Sequence, residues 1–239
     1  MNRLNFTDSK RVVIKLGSSI ITKNGEGIDK AQLQSIIEQI AELAAMKKEI
    51  VLVSSGAIAA GLKKLGYKKR PKELSELRAA ASVGQLILAQ IYEQLFTKSG
   101  LVSSLILLTN DEKKKKKSYL NARSTICKLI EQSIIPVINE NDTVADDEIR
   151  FGDNDTLAAM VANLIEADYL VLLTDQMGLF SDDPRKNKQS NLIEHAFIDN
   201  ETLEEAAKDT ESSEGTGGMI TKIYACLLYT SPSPRDVEE

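Results

Sequence analysis

The sequence predicts an α/β protein with an open, mainly parallel sheet sandwiched between helices. Short apolar runs rich in β-branched residues alternate along the chain with longer segments in which apolar residues recur at helical spacing. Polar clusters follow where several of the apolar runs end. No internal repeat and no linker divides the 239 residues. Strands that alternate with helices in this way pair in parallel and are covered on both faces.

The first half of the chain contains two predicted strands and two predicted helices. Residues 11–15 and 50–53 are short apolar runs and are predicted to be strands. A long helix is expected over residues 73–96. The helix between the two strands is expected to begin at a capping box formed by Asp29 and Gln32. Its apolar side repeats at helical spacing: Leu33, Ile36, Ile37, Ile40 and Leu43.

From residue 101 onward the alternation of strands and helices continues, and the last residues of the chain depart from it. In chain order we expect a strand at 101–108, a helix at 119–132, a strand at 134–138, a short hairpin at 144–151, a helix at 156–166 and a strand at 169–173. Residues 226–239 begin as a helix would but break at Pro232 and Pro234. We therefore expect one domain over residues 1–225, incomplete at its C-terminus, followed by a disordered or non-native tail.

The composition is that of an ordinary globular protein. Hydrophobic residues make up 42% of the chain and charged residues 27%, which is enough apolar material for a sizeable core. A net charge of −5 argues against nucleic acid as a partner, and the lysines at 113–117 are interpreted as a solvated loop. No apolar segment is long enough to span a membrane, and residues 1–10 lack the apolar stretch of a signal peptide. These features predict a cytoplasmic protein without a membrane partner.

Cysteine and histidine are scarce. Cys127 and Cys226 have neither metal-binding spacing nor partner histidines, so we expect no disulfide framework and no zinc site. His195 is the single histidine and stands in a polar stretch with no nucleophile beside it. We interpret it as a surface or structural residue. A Ser-His-Asp mechanism would need it as the base and is therefore disfavoured.

Polar clusters beside the predicted strands carry the candidate chemistry. They lie at residues 15–19, 54–57, 139–142, 152–155, 174–175 and 215–222. Ligands of open α/β sheets gather beyond the carboxyl ends of the strands, so clusters at these places indicate one composite site. Asp and Asn also favour turns and helix N-caps, and a turn explains each cluster equally well when it is taken alone.

Glycines and lysines in these clusters suit phosphate groups. Lys15 and Lys222 can each neutralise phosphate charge, and Lys15 ends an apolar strand that is predicted to be buried. Neither a P-loop nor a dinucleotide-binding glycine motif is present. Glycine allows backbone N–H groups to approach an anion, and four glycines stand in suitable places: Gly17, Gly215, Gly217 and Gly218.

Seven motifs, in chain order, resemble the amino acid kinase family. They span about residues 10–225: V-V-I-K-L-G-S-S, S-S-G-A-I-A-A-G, L-N-A-R, P-V-I-N-E-N-D, F-G-D-N-D, L-L-T-D-Q and G-T-G-G-M-x-T-K. Members that act on acetylglutamate or aspartate usually carry a second glycine after Lys-x-Gly, where this chain has Ser18. The resemblance is therefore strongest to the members that act on L-glutamate, and it implies an amino acid kinase-like fold.

The resemblance implies a reaction with its cofactor and partners. The reaction is the ATP-dependent phosphorylation of the side-chain carboxylate of L-glutamate to L-glutamyl 5-phosphate, the first step of proline biosynthesis, with Mg²⁺ as cofactor. It also implies a homo-oligomer that proline inhibits. Many members add a small RNA-binding-like (PUA) domain, which we do not expect here. Two alternatives stay open: a member that phosphorylates acetylglutamate, aspartate or a nucleoside monophosphate, and a truncated, non-catalytic chain that binds ATP and glutamate.

The resemblance also implies roles for residues around the transferred phosphoryl group. Lys15 and Lys222 are expected to flank this group, and Asp155 to position both lysines. A glutamate carboxylate is already ionised at neutral pH, so the reaction needs no histidine base. No residue is assigned to a metal. The implied ATP-binding positions are Lys15, Thr174, Asp175, Thr216, Gly217, Gly218, Met219, Ile220, Thr221 and Lys222.

Three residues match the glutamate-binding positions of the family. They are Ser55, Asp142 and Asn154. We expect Asp142 to pair with the α-ammonium group of the substrate, since a carboxylate attracts a cation. We expect Ser55 and Asn154 to donate hydrogen bonds to substrate carboxylates.

Overall fold

The structure is a computed structural model that describes residues 5–23, 27–109, 116–144, 154–197, 203 and 218–230. In this part of the chain five strands form one sheet, and every pairing in it is parallel. The strands are β1 (Arg11–Leu16), β2 (Glu49–Ser54), β3 (Val102–Leu108), β4 (Ile134–Glu140) and β5 (Tyr169–Leu173). Their order across the sheet is β3-β4-β2-β1-β5. The predicted parallel α/β architecture is confirmed.

Helices cover both faces of the sheet. They are α1 (Ser18–Ile21), α2 (Lys30–Ala45), α3 (Ala57–Leu65), α4 (Leu74–Lys98), α5 (Lys116–Glu131), α6 (Asn154–Leu164) and α7 (Met219–Thr230). The apolar sides of α2 and α4 form the core on one face, and those of α5 and α6 form it on the other. The sequence analysis did not predict α1 and α3, which directly follow β1 and β2. None of the described helices is long and apolar enough to cross a membrane.

Alternation along β1 decides which side chains reach each face. Val12, Ile14 and Leu16 belong to the core under α2 and α4. Val13 belongs to the opposite core, under α5 and α6. Successive side chains of a strand point to opposite faces. Lys15 therefore points to the same side as Val13, toward α6, at the carboxyl end of a central strand.

The start of α2 follows the prediction in part. The Asp29 carboxylate caps the helix by accepting the N–H groups of Ala31 and Gln32, both at 3.1 Å. The reciprocal half of the capping box is replaced by a longer-range bond, because the N–H of Asp29 donates to the carbonyl of Ile21 at 2.8 Å. This bond ties the start of α2 to the end of α1.

Two glycines allow α3 and α4 to pack with their backbones in contact. A Cβ built on Gly84 would lie 1.7 Å from the carbonyl oxygen of Ala57, and one on Gly61 would lie 1.8 Å from that of Ala80. Both obstructing atoms belong to the backbone of the facing helix, so neither can move without its helix. The close approach brings α4, which packs against the sheet, under the first turn of α3.

Gly84→Ala is expected to lower the free energy of unfolding by about 3 kcal/mol, because α3 must move away from α4. Gly66→Ala is a suitable control, since its Cβ would meet nothing within 4 Å and only the positive φ of 77° opposes it. That substitution should cost roughly 1–2 kcal/mol. Urea unfolding measures both. Equal losses in the two variants would show that the helix contact is unimportant.

The C-terminal helix extends past the expected domain boundary. Helix α7 continues to Thr230, five residues beyond the expected boundary at 225. The Tyr229 hydroxyl donates to the carbonyl of Ala167 at 2.7 Å, and the carbonyl of Leu228 accepts the Asn163 amide at 2.9 Å. These contacts explain why residues 226–230 are helical. The rest of the predicted tail, residues 231–239, lies outside the described residues.

Other predicted features also fall outside the described residues. They are the hairpin after Val144, the first three lysines of the 113–117 block, and the residues Gly152, Asp153, Gly215, Thr216 and Gly217. His195 is described and is exposed, in the segment that follows β5, which agrees with its interpretation as a surface residue.

Candidate active site

The candidate site lies where the carboxyl ends of four strands meet the start of α6. Strands β1, β2, β4 and β5 end at Leu16, Ser54, Glu140 and Leu173. Helix α6 begins at Asn154, two residues earlier than predicted. Asp and Asn at such a start are favourable in the first turn of a helix. The parallel sheet thereby gathers clusters that are far apart in the chain, as the sequence analysis expected.

One carboxylate joins two lysines at the centre of this site. Lys15 Nζ lies 2.6 Å from Asp155 Oδ1, and Lys222 Nζ lies 3.2 Å from Asp155 Oδ2. Lys15 comes from β1, Asp155 from the first turn of α6 and Lys222 from the first turn of α7. Two ammonium groups thus share one acid, and the cluster carries a net positive charge.

The cluster is buried, and burial strengthens its electrostatics. The side chains of Lys15, Asp155 and Lys222 are 7%, 1% and 15% exposed. Burial alone would raise the pKa of Asp155. The charges of the two lysines, with hydrogen bonds from Lys15 and Thr221, outweigh that effect and hold its pKa below the ordinary value. Asp155 is therefore ionised at neutral pH and keeps both cations in place.

Helix α7 adds a hydroxyl to the cluster. Thr221 Oγ1 lies 2.8 Å from Asp155 Oδ2 and 2.8 Å from the carbonyl oxygen of Gly218. A hydroxyl has a single hydrogen, so it is shared between the two acceptors. The resemblance placed Thr221 only among the ATP-binding positions, and its contact with Asp155 was not predicted.

The turn after β1 places a glycine beside the Lys15 ammonium group. A Cβ built on Gly17 would lie 3.6 Å from Lys15 Nζ and 3.6 Å from the carbonyl oxygen of Leu173. With glycine at this position, no side chain fills that space. The ends of β1 and β5 therefore flank an approach to a buried cation.

Asn154 lies beside this cluster and is held by its amide nitrogen. Nδ2 is 2.7 Å from the carbonyl of Ser54, 2.9 Å from Ser55 Oγ and 2.9 Å from Asn139 Oδ1. The amide oxygen, Oδ1, is buried and has no hydrogen-bond partner among the described residues. The free group of Asn154 is therefore an acceptor, which differs from the donor role that we expected. A buried acceptor of this kind calls for a donor from a ligand.

Asp142 supplies a second buried carboxylate. It lies two residues after β4 and is 7% exposed. Burial raises its pKa to about 6, although the positive charge of Arg70 opposes this shift. Near neutral pH the group is mostly ionised, and it gains from a cationic partner because its own desolvation is unfavourable.

The end of β5 contributes the remaining predicted positions. Thr174 is half-buried and Asp175 is exposed, and their side-chain oxygens lie 3.3 Å apart. They follow the strand that pairs with β1, where Lys15 is opposite Leu172. Met219 and Ile220 are half-buried in the first turn of α7, after Gly218. Thr216 and Gly217 lie outside the described residues.

Sequence reasoning missed the residues that support Asn154. Asn139 and Ser54 were noted only as members of polar clusters, with no role in holding Asn154. A search for carboxamides near strand ends could have identified Asn139. Among the described residues no group of three or more His, Cys, Asp or Glu side chains is placed to hold a metal ion.

The fold and this site define a class of α/β protein that concentrates buried positive charge at the carboxyl edge of a parallel sheet. Residues 10–231 match the model of the amino acid kinase family. The chain belongs to that family, and the resemblance stated from the motifs is confirmed.

Within the family the chain is similar to proteins named glutamate 5-kinase. It is 54% identical over 220 residues to that of Burkholderia cenocepacia (strain HI2424), covering 92% of this chain and 59% of the relative. The same values hold for Burkholderia multivorans (strain ATCC 17616 / 249). Identity to the protein of Marinomonas sp. (strain MWYL1) is 50% over 226 residues, covering 95% of this chain and 60% of the relative. The chain thus spans about three fifths of the length of these relatives.

Proposed function

We propose that the protein phosphorylates the side-chain carboxylate of L-glutamate with ATP, giving L-glutamyl 5-phosphate in the first step of proline biosynthesis in the cytoplasm. The observation that carries the proposal is the buried cluster in which Asp155 contacts Lys15 and Lys222. Similarity to proteins named glutamate 5-kinase, at 50–54% identity, supports the choice of acceptor. Inhibition by proline and a homo-oligomeric state stay predictions from the resemblance.

The chemistry of the reaction fits the side chains at hand. The glutamate carboxylate needs no base, and phosphoryl transfer depends mainly on alignment and on stabilisation of charge on the transferred oxygens. Lys15 and Lys222 supply two ammonium groups for that charge. Asp155 acts as a positioning residue, because it holds both cations at a fixed separation.

The ATP-binding role is proposed for the ends of β1 and β5 and the start of α7. Lys15 and Lys222 would contact the phosphates, and the remaining positions would line the nucleotide. These are Thr174, Asp175, Thr216, Gly217, Gly218, Met219, Ile220 and Thr221. The space beside Gly17, next to the Lys15 ammonium group, is the approach we propose for the transferred phosphoryl group.

The acceptor side is proposed to be formed by Ser55, Asp142 and Asn154. The buried Asn154 Oδ1 and the Asp142 carboxylate are both acceptors, and together they suit the α-ammonium group of an amino acid. Ser55 Oγ is the remaining hydroxyl of the turn after β2 and can donate to a substrate carboxylate. This arrangement selects an amino acid over a substrate that lacks a free ammonium group, such as acetylglutamate.

The described residues fit poorly to a Mg²⁺ ion held by protein ligands. No group of acidic side chains is placed for it, and both oxygens of Asp155 already contact lysines. In kinase sites Mg²⁺ commonly binds through substrate phosphates and water. We therefore propose that Mg²⁺ enters as part of the nucleotide complex.

The glutamate KM is expected to rise as the pH falls through about 6, because the pKa of Asp142 is raised to about 6 and only its ionised form pairs with an ammonium group. Between pH 8 and pH 5 the increase should be roughly tenfold at saturating ATP. Asp142→Asn should show a raised KM that does not vary over this range.

Loss of folding does not explain that result. The folded pKa of Asp142 lies above its ordinary value of 3.8, so the stability contribution of this group falls as the pH rises from 3.8 through 6. Asp142→Asn should therefore be at least as stable as the wild type at pH 8 in thermal unfolding. A wild-type KM that stays constant from pH 8 to pH 5 would contradict the role of Asp142.

The proposed reaction is tested by trapping the acyl phosphate with hydroxylamine. We expect the 239-residue chain to form the hydroxamate with L-glutamate, ATP and Mg²⁺, and to leave acetylglutamate and aspartate unreacted. A chain that phosphorylates either of those two instead of glutamate would overturn the assignment.

A protein that binds glutamate and ATP without turnover is the alternative that the same assay tests. Calorimetric binding of glutamate and ATP with no hydroxamate would support that candidate.

A further inference from the structure

We propose that Tyr92 is a positioning residue for the acceptor side of the site and acts through Ser54 on Ser55 and Asn154. The inference rests on the proposed function and concerns a residue of α4 that no motif singles out. Tyr92 is 1% exposed, and its ring stacks on that of Phe96 with centroids 6.2 Å apart. A hydroxyl group this deep in an apolar core requires a hydrogen-bond partner.

The Tyr92 hydroxyl finds this partner at the carboxyl end of β2. Its oxygen lies 2.7 Å from Ser54 Oγ, and Ser54 is fully buried. The Ser54 hydroxyl donates in turn to the carbonyl oxygen of Ser55 at 3.0 Å. Since Ser54 has one hydroxyl hydrogen, Tyr92 must be the donor in the first bond. Burial raises the pKa of Tyr92, so its hydroxyl keeps its hydrogen at physiological pH.

This relay ends at the carbonyl of Ser55, beside the groups that hold Asn154. The carbonyl of Ser54 accepts the Asn154 amide at 2.7 Å, and Ser55 Oγ lies 2.9 Å from the same nitrogen. Strand β2 ends at Ser54, and the chain turns at Gly56, whose φ is +93°. The last ladder bond here runs from the N–H of Ser55 to the carbonyl of Leu16 at 3.2 Å. The bonds from Tyr92 to Ser54 and from Ser54 to Ser55 add side-chain support to the backbone at this end of the ladder.

Tyr92→Phe removes one oxygen and leaves the ring packing in place. We expect the glutamate KM to rise roughly 5- to 10-fold, because one hydrogen bond that orders the glutamate-binding residues is lost. Both kcat and the KM for ATP should stay within about twofold of the wild type. A purely structural role would not separate the two KM values, because a loosened core would affect both substrates.

Two further variants sharpen the test. Tyr229→Phe is the matched control, because its hydroxyl also donates over 2.7 Å, to the Ala167 carbonyl near the amino end of β5. It should leave the glutamate KM unchanged. Ser54→Ala should raise the glutamate KM about as much as Tyr92→Phe. The double variant should add little, since both changes interrupt the same relay.

Hydroxamate kinetics at varied glutamate and varied ATP provide all of these values. If the wild-type chain forms no glutamyl hydroxamate, the proposed function fails and this inference fails with it. If the wild type is active and Tyr92→Phe keeps its glutamate KM within about 1.5-fold, the inference alone is overturned. An equal rise in both KM values would also overturn it.

Discussion

Lys15→Ala is expected to lower kcat by about 10²–10³-fold while the glutamate KM changes only a few-fold, because the ammonium group stabilises charge that develops in the transition state. Lys15 is the more deeply buried of the two lysines, and its ammonium group contacts Asp155 at 2.6 Å. In a site this deep a fixed cation acts with little screening by water. Steady-state hydroxamate kinetics at saturating ATP measure the effect.

The control for Lys15→Ala is a lysine that also forms an ion pair with a carboxylate but is exposed to solvent. Lys128 pairs with Glu131 at 2.9 Å on the surface of α5, and both side chains are more than 60% exposed. Lys128→Ala should leave kcat unchanged. Lys222→Ala should resemble Lys15→Ala, since both ammonium groups meet at Asp155. A kcat within about threefold of the wild type would remove Lys15 from the mechanism.

Asp155→Ala is expected to lower the free energy of unfolding by about 3–5 kcal/mol, besides abolishing most of the activity. The substitution leaves Lys15 buried beside Lys222 with no carboxylate between them, and a buried pair is most costly when a single partner is removed. Glu131→Ala breaks an exposed pair instead and should cost less than about 1 kcal/mol. Urea unfolding at pH 7 compares the two.

A second substitution distinguishes the charge effect from a simple loss of packing. Lys15→Met in the Asp155→Ala background removes one of the two ammonium groups that Asp155 contacted and should recover part of the stability. The folded pKa of Asp155 lies below its ordinary value of 3.8, so its contribution is complete above pH 3.8 and is lost as the pH falls through the lower folded pKa. If Asp155→Ala unfolds within about 1 kcal/mol of the wild type, the cluster does not stabilise the fold.

The strands were the most predictable part of the molecule. The strand at 169–173 was predicted with its observed bounds, and the other four agree within two residues at either end. Short apolar runs rich in β-branched residues between polar turns are a local signal, and a parallel sheet uses such runs in its buried strands. Helix α3 was missed because its nine residues directly follow Gly56 and include Gly61, and glycine weakens the helical signal of so short a segment. Its stability comes from packing on α4 through Gly61 and Gly84.

The motifs predicted which residues would gather, and the structure decided what they do there. From the sequence alone came the α/β class and one composite site, since parallel strands end at a common edge. The resemblance of the motifs gave the family and the expectation that Asp155 would position Lys15 and Lys222. The tertiary structure decided that Asn154 presents an acceptor, that Thr221 joins the cluster, and that Tyr92 reaches Ser54. Each of these depends on which atom of a side chain faces which neighbour. These side-chain orientations are set by packing between distant segments, and no local pattern in the sequence encodes them.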